Sequence, residues 1–179
     1  MKAKLARHAR SQGGYTLVEL IITMALSGLL LVALSSVVLT STRAVSTASD
    51  RVEASGQIRS FQYFAYDDFA DSALPSTGGC GTQSSPCTTQ QIVLTGIRVT
   101  NSRPPVPAPF TVSYTWDDVS HFVDRQDGSG ASRHASSDVS SFAWYVDSGA
   151  THPTVVVTIT ITVDGYSESQ TMRFFPRLS

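Results

Sequence analysis

The spacing of apolar residues divides the chain into three zones. From Tyr15 to Leu39 apolar and small residues are almost continuous, and Glu19 is the one charged side chain. As a helix this run spans about 37 Å. That is enough to cross a hydrocarbon core of about 30 Å with some tilt. No proline interrupts it, and Ala25, Ser27, Gly28, Ala33, Ser35 and Ser36 are small residues of the kind that let helices approach closely. From residue 40 to 72 there is again no proline and one glycine, Gly56. Here Val45, Ala48 and Val52, then Ile58, Phe61, Ala65 and Phe69, recur at helical spacing among polar residues. The pattern predicts one long helix, apolar all round in its first half and amphipathic in its second, where its stripe would lie on an antiparallel sheet. Leu74-Pro75 and the glycine-rich segment after it would end the helix.

Beyond that point the period changes to two. Gln91–Thr100 predicts a strand with a bulge at Gly96. Residues 101–109 carry Pro104, Pro105, Pro107 and Pro109 and predict a connector rather than a central strand. Phe110, Val112, Tyr114 and Trp116 alternate with polar residues, Asp117-Asp118 predicts a turn, and Val119–Asp124 a short partner strand. Gln126–Ser137 is polar and rich in Gly and Ser, which predicts a loop. Val139–Asp147 follows as a strand with Phe142, Trp144 and Val146. Val155, Val157, Ile159, Ile161 and Val163 then share one face of a strand, with Thr158, Thr160 and Thr162 on the other. Asp164-Gly165 is a hairpin signal. Ser167–Phe175 would return, and Pro176 would stop it. The fold class expected is α+β, with about one domain's worth of chain after the helix.

Charge gives this layout a direction. The chain has 179 residues and a net charge of −1, but residues 1–14 hold Lys2, Lys4, Arg7 and Arg10 and no acid. Residues 15–179 hold nine Arg and fourteen Asp/Glu, giving 9 − 14 = −5. Basic residues ahead of an apolar span place the N-terminus in the cytoplasm and residues 40–179 outside, with the inner-membrane lipids around the span. The acidic outer part offers no general electrostatic attraction for nucleic acid. Cys80 and Cys87, with six residues between them, fit a disulfide closing a small loop outside the cytoplasm. Two free thiols in a flexible loop are the bland alternative. No second Cys/His pair stands at zinc-ligand spacing.

Glu19 is the chemical puzzle. A carboxylate inside an apolar span is costly and marks a functional position by default. The span contains no counter-charge for it. A partner must come from another chain or from a new terminus: cleavage after Gly14 would create a cationic α-amino group on Tyr15. That amine could meet Glu19 in cis, at i and i+4, or in trans across a helical bundle. The competing reading is a plain anchor with one acid near the interface.

The stretch GGYTLVELIITMALSGLLL, behind its basic leader, resembles the N-terminal signal of type IV pilins and type II secretion pseudopilins. The resemblance covers about thirty residues. It implies cleavage by a prepilin peptidase after Gly14, N-methylation of Tyr15, and a role for Glu19 in assembly. Tyr15 stands where the family usually has Phe or Met, and the apolar helix lacks a proline often found in major pilins. The implied organisation is a leader at 1–14, a transmembrane assembly helix at 15–39, an amphipathic continuation at 40–73, and a β-rich head at 74–179. The layout looks like a minor pilin or minor pseudopilin, a structural subunit whose partners are other such subunits, the peptidase and an inner-membrane assembly platform. The alternative is a tip binding module, an adhesin or DNA receptor, on the same scaffold.

Other constellations carry little chemistry. Asp67, Asp68 and Asp71 suggest a calcium site less than a solvated helix face, and Asp117, Asp118 and Asp124 read the same way. His121, His134 and His152 have no metal spacing and read as surface residues. Arg98 with Arg103, and Arg125 with Arg133, are the local basic pairs a DNA ligand would need. Tyr63, Phe64, Tyr66, Trp116, Trp144, Phe174 and Phe175 read as core before ligand platform. No nucleophile elbow, phosphate loop or dinucleotide fingerprint is present. The expectation is no enzyme, no cofactor and no metal.

Overall fold

The computed structural model describes residues 14–89, 91–99, 102–149 and 152–177. The basic residues Lys2, Lys4, Arg7 and Arg10, in the stretch expected to be a leader, lie outside the described residues. The chain forms one helix, α1 (Leu17–Ala70), then β1 (Ile92–Val99), β2 (Pro107–Asp117), β3 (Phe122–Asp127), β4 (Ser132–Ser136), β5 (Val139–Asp147), β6 (Thr154–Val163) and β7 (Tyr166–Phe174). The α+β architecture expected from the sequence is present, but the strands make two antiparallel sheets rather than one, ordered β1-β2-β3-β4 and β5-β6-β7. Compact units divide between Val45 and Ser46.

In the first unit α1 exposes every described side chain. Several of its hydroxyls bond back within the helix: Ser35 donates to the Leu31 carbonyl at 2.7 Å and Thr40 to that of Ser36 at 2.9 Å. Such back-bonding lets polar residues sit in an apolar helix without an outside partner.

In the second unit α1 buries Ala54, Ile58, Phe61, Ala65 and Phe69. The expected stripe does not reach further back, because Val45 and Val52 are 67% and 73% exposed. Val52 lies about 160° around the helix from Ala54, so the two apolar runs occupy opposite faces. Phe61 meets Tyr114 of β2 edge-on at 5.6 Å and Phe142 of β5 at 5.7 Å. Phe69 stacks on Tyr114 and, at 4.4 Å, on Phe174 of β7. One helix face therefore joins both sheets, each ring pair adding about 0.5–1.5 kcal/mol beyond its area.

Several strand boundaries differ from the sequence reading. Pro107 and Pro109 belong to β2, opposite Val99 and Ile97 of β1. They are tolerated because β3 covers only Val112–Asp117 of β2, leaving the proline stretch with a neighbour on one side. Val119 is exposed in a turn, and β3 starts at Phe122. The expected loop at 126–137 contains the end of β3 and all of β4, whose SRHAS sequence has no apolar alternation. That strand exists through its pairing with β3, including Val123 opposite Ser136.

Gly96 is not a bulge. It keeps regular register with Phe110, and a Cβ there would stand 2.1 Å from the Asp71 carbonyl oxygen. The glycine admits the chain leaving α1, which lies against β1 and donates the Ala73 N–H to the Thr95 carbonyl at 2.8 Å. The cysteine loop treats β5 alike. Cys80 and Cys87 are joined; Cys87 and Trp144 exchange backbone bonds at 2.8 and 2.9 Å, and Val146 donates to Gly81. Both covers blunt sheet edges that would otherwise offer unpaired backbone groups.

The last turn of α1 is held by a charge. Asp68 is 2% exposed, so the solvated-face reading fails for it. Arg125 of β3 grips it from two nitrogens, at 2.6 and 3.0 Å; Arg98 of β1 donates at 3.0 Å and the Tyr114 hydroxyl at 2.7 Å. Arg98 also reaches Asp71 at 3.3 Å. Carboxylates at a helix C-terminus oppose its dipole, and the guanidiniums offset this. Burial alone would raise the Asp68 carboxyl, but the bonds from Arg125, Tyr114 and Arg98 outweigh it and hold the group below the usual carboxylate range. Burial and the adjoining Asp68 charge push the Tyr114 hydroxyl far up.

Asp68→Ala is expected to lower stability by about 3 kcal/mol, the low end for a broken buried pair because both guanidiniums still touch water. Because the folded carboxyl titrates below its unfolded value, its contribution is complete above about pH 4 and is lost as pH falls through the folded value. Urea midpoints of wild type and Asp68→Ala measured from neutral pH downward should converge in acid; a constant gap would contradict this account. Cys80→Ser with Cys87→Ser should cost at most about 2.5 kcal/mol, the loop-closure value for so short a ring, read in the same assay.

Candidate assembly site

The segment implicated by the sequence begins with Gly14, Tyr15 and Thr16, which precede the helix. Thr16 is the residue that the sequence reading passed over. Its hydroxyl oxygen accepts the Glu19 N–H at 3.3 Å, and its carbonyl accepts the Leu20 N–H at 3.2 Å. Thr16 is thus the N-cap and Glu19 stands at the third helical position, as in a T-x-x-E capping box. That signature is readable in the sequence. It gives Glu19 a local role as well, since a carboxylate in the first turn is favoured by the helix dipole.

Tyr15 sits two residues before the first helical residue and is exposed. The i, i+4 proximity of a regular helix therefore does not apply to Tyr15 and Glu19. Among the described residues Glu19 makes no ion pair. Around and beyond it Leu17, Leu20, Ile21, Ile22, Leu29 and Leu30 are all exposed. By length and composition this helix is able to cross a membrane. A surface of that kind is not stable against water and needs lipid or other helices around it.

The remaining candidates scatter. Asp67 is exposed, whereas Asp68 and Asp71 are engaged by arginines. The same contacts remove Arg98 and Arg125 from the basic pairs, leaving Arg103 and Arg133 exposed by themselves. Among the aromatics, Trp144 and Phe174 are core and Phe64 and Trp116 pack against it, but Tyr63, Tyr66 and Phe175 are exposed. Asp117 and Asp127 serve turns. The Ser120 hydroxyl and the Val119 amide lower the Asp117 carboxyl, and Ser129 lowers that of Asp127. His134 pairs with Asp124 at the surface, and His121 adopts a positive φ of 60° beside the Val139 carbonyl. Among the described residues no group of three His, Cys, Asp or Glu is placed to hold a metal ion.

The family described as the prokaryotic N-terminal methylation motif matches residues 9–35. No curated protein and no solved structure matches the chain. The motif points to a pilin-type structural subunit that a prepilin peptidase processes, with other pilin subunits among its partners and one span anchoring it in a membrane. With a prepilin-type methylation motif running directly into a long apolar helix, and two antiparallel sheets behind it, the chain is type IV pilin-like.

Proposed function

We propose that the chain is a minor pilin or minor pseudopilin that helps to initiate or cap a filament. It is held in the inner membrane with its N-terminus inside and its head outside, cleaved between Gly14 and Tyr15, and methylated on the Tyr15 amine. The observation that carries this reading is the methylation motif at 9–35 continuing into an apolar helix whose one charged side chain up to Leu39 is Glu19. Tyr15 lies outside the helix, so its new amine is better placed to meet the Glu19 of a neighbouring subunit than its own. In an apolar bundle such a pair neutralises both groups and sets the register between subunits. The short cysteine loop directly after the helix, and the length of the head, favour a minor over a major subunit.

Mass spectrometry of the mature protein should find methylated Tyr15 at the N-terminus; an intact leader would overturn the proposal. Glu19→Ala should leave cleavage intact and reduce incorporation into filaments by on the order of a hundredfold, the scale of a broken buried ion pair. Unimpaired incorporation would leave Glu19 as a helix-capping acid alone.

A further inference from the structure

β7 is an edge strand with one side open. It pairs with β6 along its whole length, and among the described residues no other segment makes a ladder with its outer edge. The comparable edges are covered: β1 by Ser72-Ala73, and β5 by the Cys80–Cys87 loop. The open edge of β7 faces a cleft of about 850 Å3. Residues 170–175 line it without a gap, although Met172 and Phe174 are buried and Thr171 and Arg173 are exposed. Successive side chains of a strand point to opposite faces, so a cleft that touches both sets runs along the edge. Across it stands a helix face with Arg59, Tyr63 and Tyr66, whose two rings are 80% and 67% exposed.

The helix and β7 run side by side. Ser55 donates to the Glu168 carboxylate at 2.9 Å near one end, and the Arg177 amide donates to the Ala70 carbonyl at 3.2 Å near the other. Arg59 and Arg177 therefore stand toward opposite ends of the cleft, and the helix rises about 16 Å from residue 59 to residue 70. The lining holds three arginines and no carboxylate, although the chain beyond residue 14 carries more acids than bases. Arg173 is paired with Asp147 at 3.0 Å, and Arg177 approaches Asp71 only at 4.0 Å. Arg59 makes no ion pair among the described residues.

We propose that this cleft binds an extended acidic segment of another protein, which adds to the outer edge of β7 and lengthens the β5-β6-β7 sheet. Strand addition uses the N–H and C=O groups that β7 turns away from β6, so the backbone supplies affinity and the side chains supply choice. Alternate residues of the incoming strand face Tyr63 and Tyr66, which favours β-branched or aromatic side chains there. Carboxylates about four to six positions apart, at 3.3–3.4 Å per residue, span the distance between Arg59 and Arg177. A helical partner would leave the β7 edge unpaired, and a basic segment would meet the arginines with like charge. The proposal rests on the function proposed above only for where the head is displayed.

The test uses the full-length protein in detergent micelles and a fluorescein-labelled peptide, GDVTVTVDG. Its binding is read by anisotropy, and its place by amide hydrogen exchange. Exchange over residues 167–175 should slow on binding. The basic residues at 1–14 are common to wild type and variants, so differences between them report the cleft. Arg59→Gln and Arg177→Gln should each weaken binding about two- to fivefold, the range of an exposed ion pair, and together about tenfold, because the sites are far enough apart to add. Tyr63→Ala should weaken it about fivefold. These side chains are exposed, so thermal midpoints should stay unchanged. The peptide GDVPVPVDG keeps both acids but cannot complete a ladder, and should bind at least about tenfold more weakly. No binding at about 1 mM peptide, equal binding of the proline peptide, or unchanged exchange over residues 167–175 would each overturn the proposal. So would self-association without peptide that Arg59→Gln abolishes, since the edge would then belong to a second copy. None of these outcomes bears on Tyr15 processing or Glu19 incorporation, so the two proposals fail separately.

Discussion

The head depends on a carboxylate that it could not bury alone. Asp68 sits almost out of water at the C-terminal end of a long helix, where the backbone dipole already disfavours negative charge. It is stable there because β1, β2 and β3 each send a donor to it: Arg98, Tyr114 and Arg125. Three strands are thereby tied to one helical residue. Buried ionic groups add little net stability over an apolar replacement, but they tolerate few alternative arrangements. The network fixes the rotation and height of the helix end on the four-stranded sheet.

The aromatic layer uses that rotation. With Asp68 oriented, Phe61 bridges Tyr114 and Phe142, Phe69 bridges Tyr114 and Phe174, and the two sheets close on the same helix face. The segments following the helix then cover the sheet edges. Ser72-Ala73 runs against β1 because Gly96 has no side chain in the way, and the Cys80–Cys87 loop pairs with β5. At its other end, up to Val45, the same helix exposes an apolar surface. One element combines a membrane-compatible half, started by the Thr16 cap, with a half that serves as the spine of a folded head.

Much of this was legible in the sequence, and the reasons for the rest are physical. Period-two alternation identified β1, β5 and β6, and the Asp164-Gly165 hairpin signal identified the returning β7. Alternation could not identify β4, whose SRHAS sequence is held by pairing with β3, nor the prolines of β2, which are tolerated only because β3 stops short of them. Apolar spacing along the helix likewise does not say which of two stripes faces the sheets: Val45 and Val52 have the right period and the wrong face. Thr16 was legible as the start of a T-x-x-E cap, because the capping residue and the acid are close in sequence.

What the sequence by itself determined are the properties carried by local order: a basic N-terminal stretch, an apolar helix with one acid, the motif at residues 9–35, and the change of period that makes the fold α+β. These survive in sequence because neighbouring residues create them. Only the tertiary structure decided which charges are structural. Asp67, Asp68 and Asp71 look alike along the chain, yet Asp68 alone is buried under two arginines that lie 30 and 57 residues away. The same folding leaves Arg59, Tyr63 and Tyr66 exposed together against the end of β7. Burial and charge pairing depend on what the fold brings close, and no spacing along the chain records it.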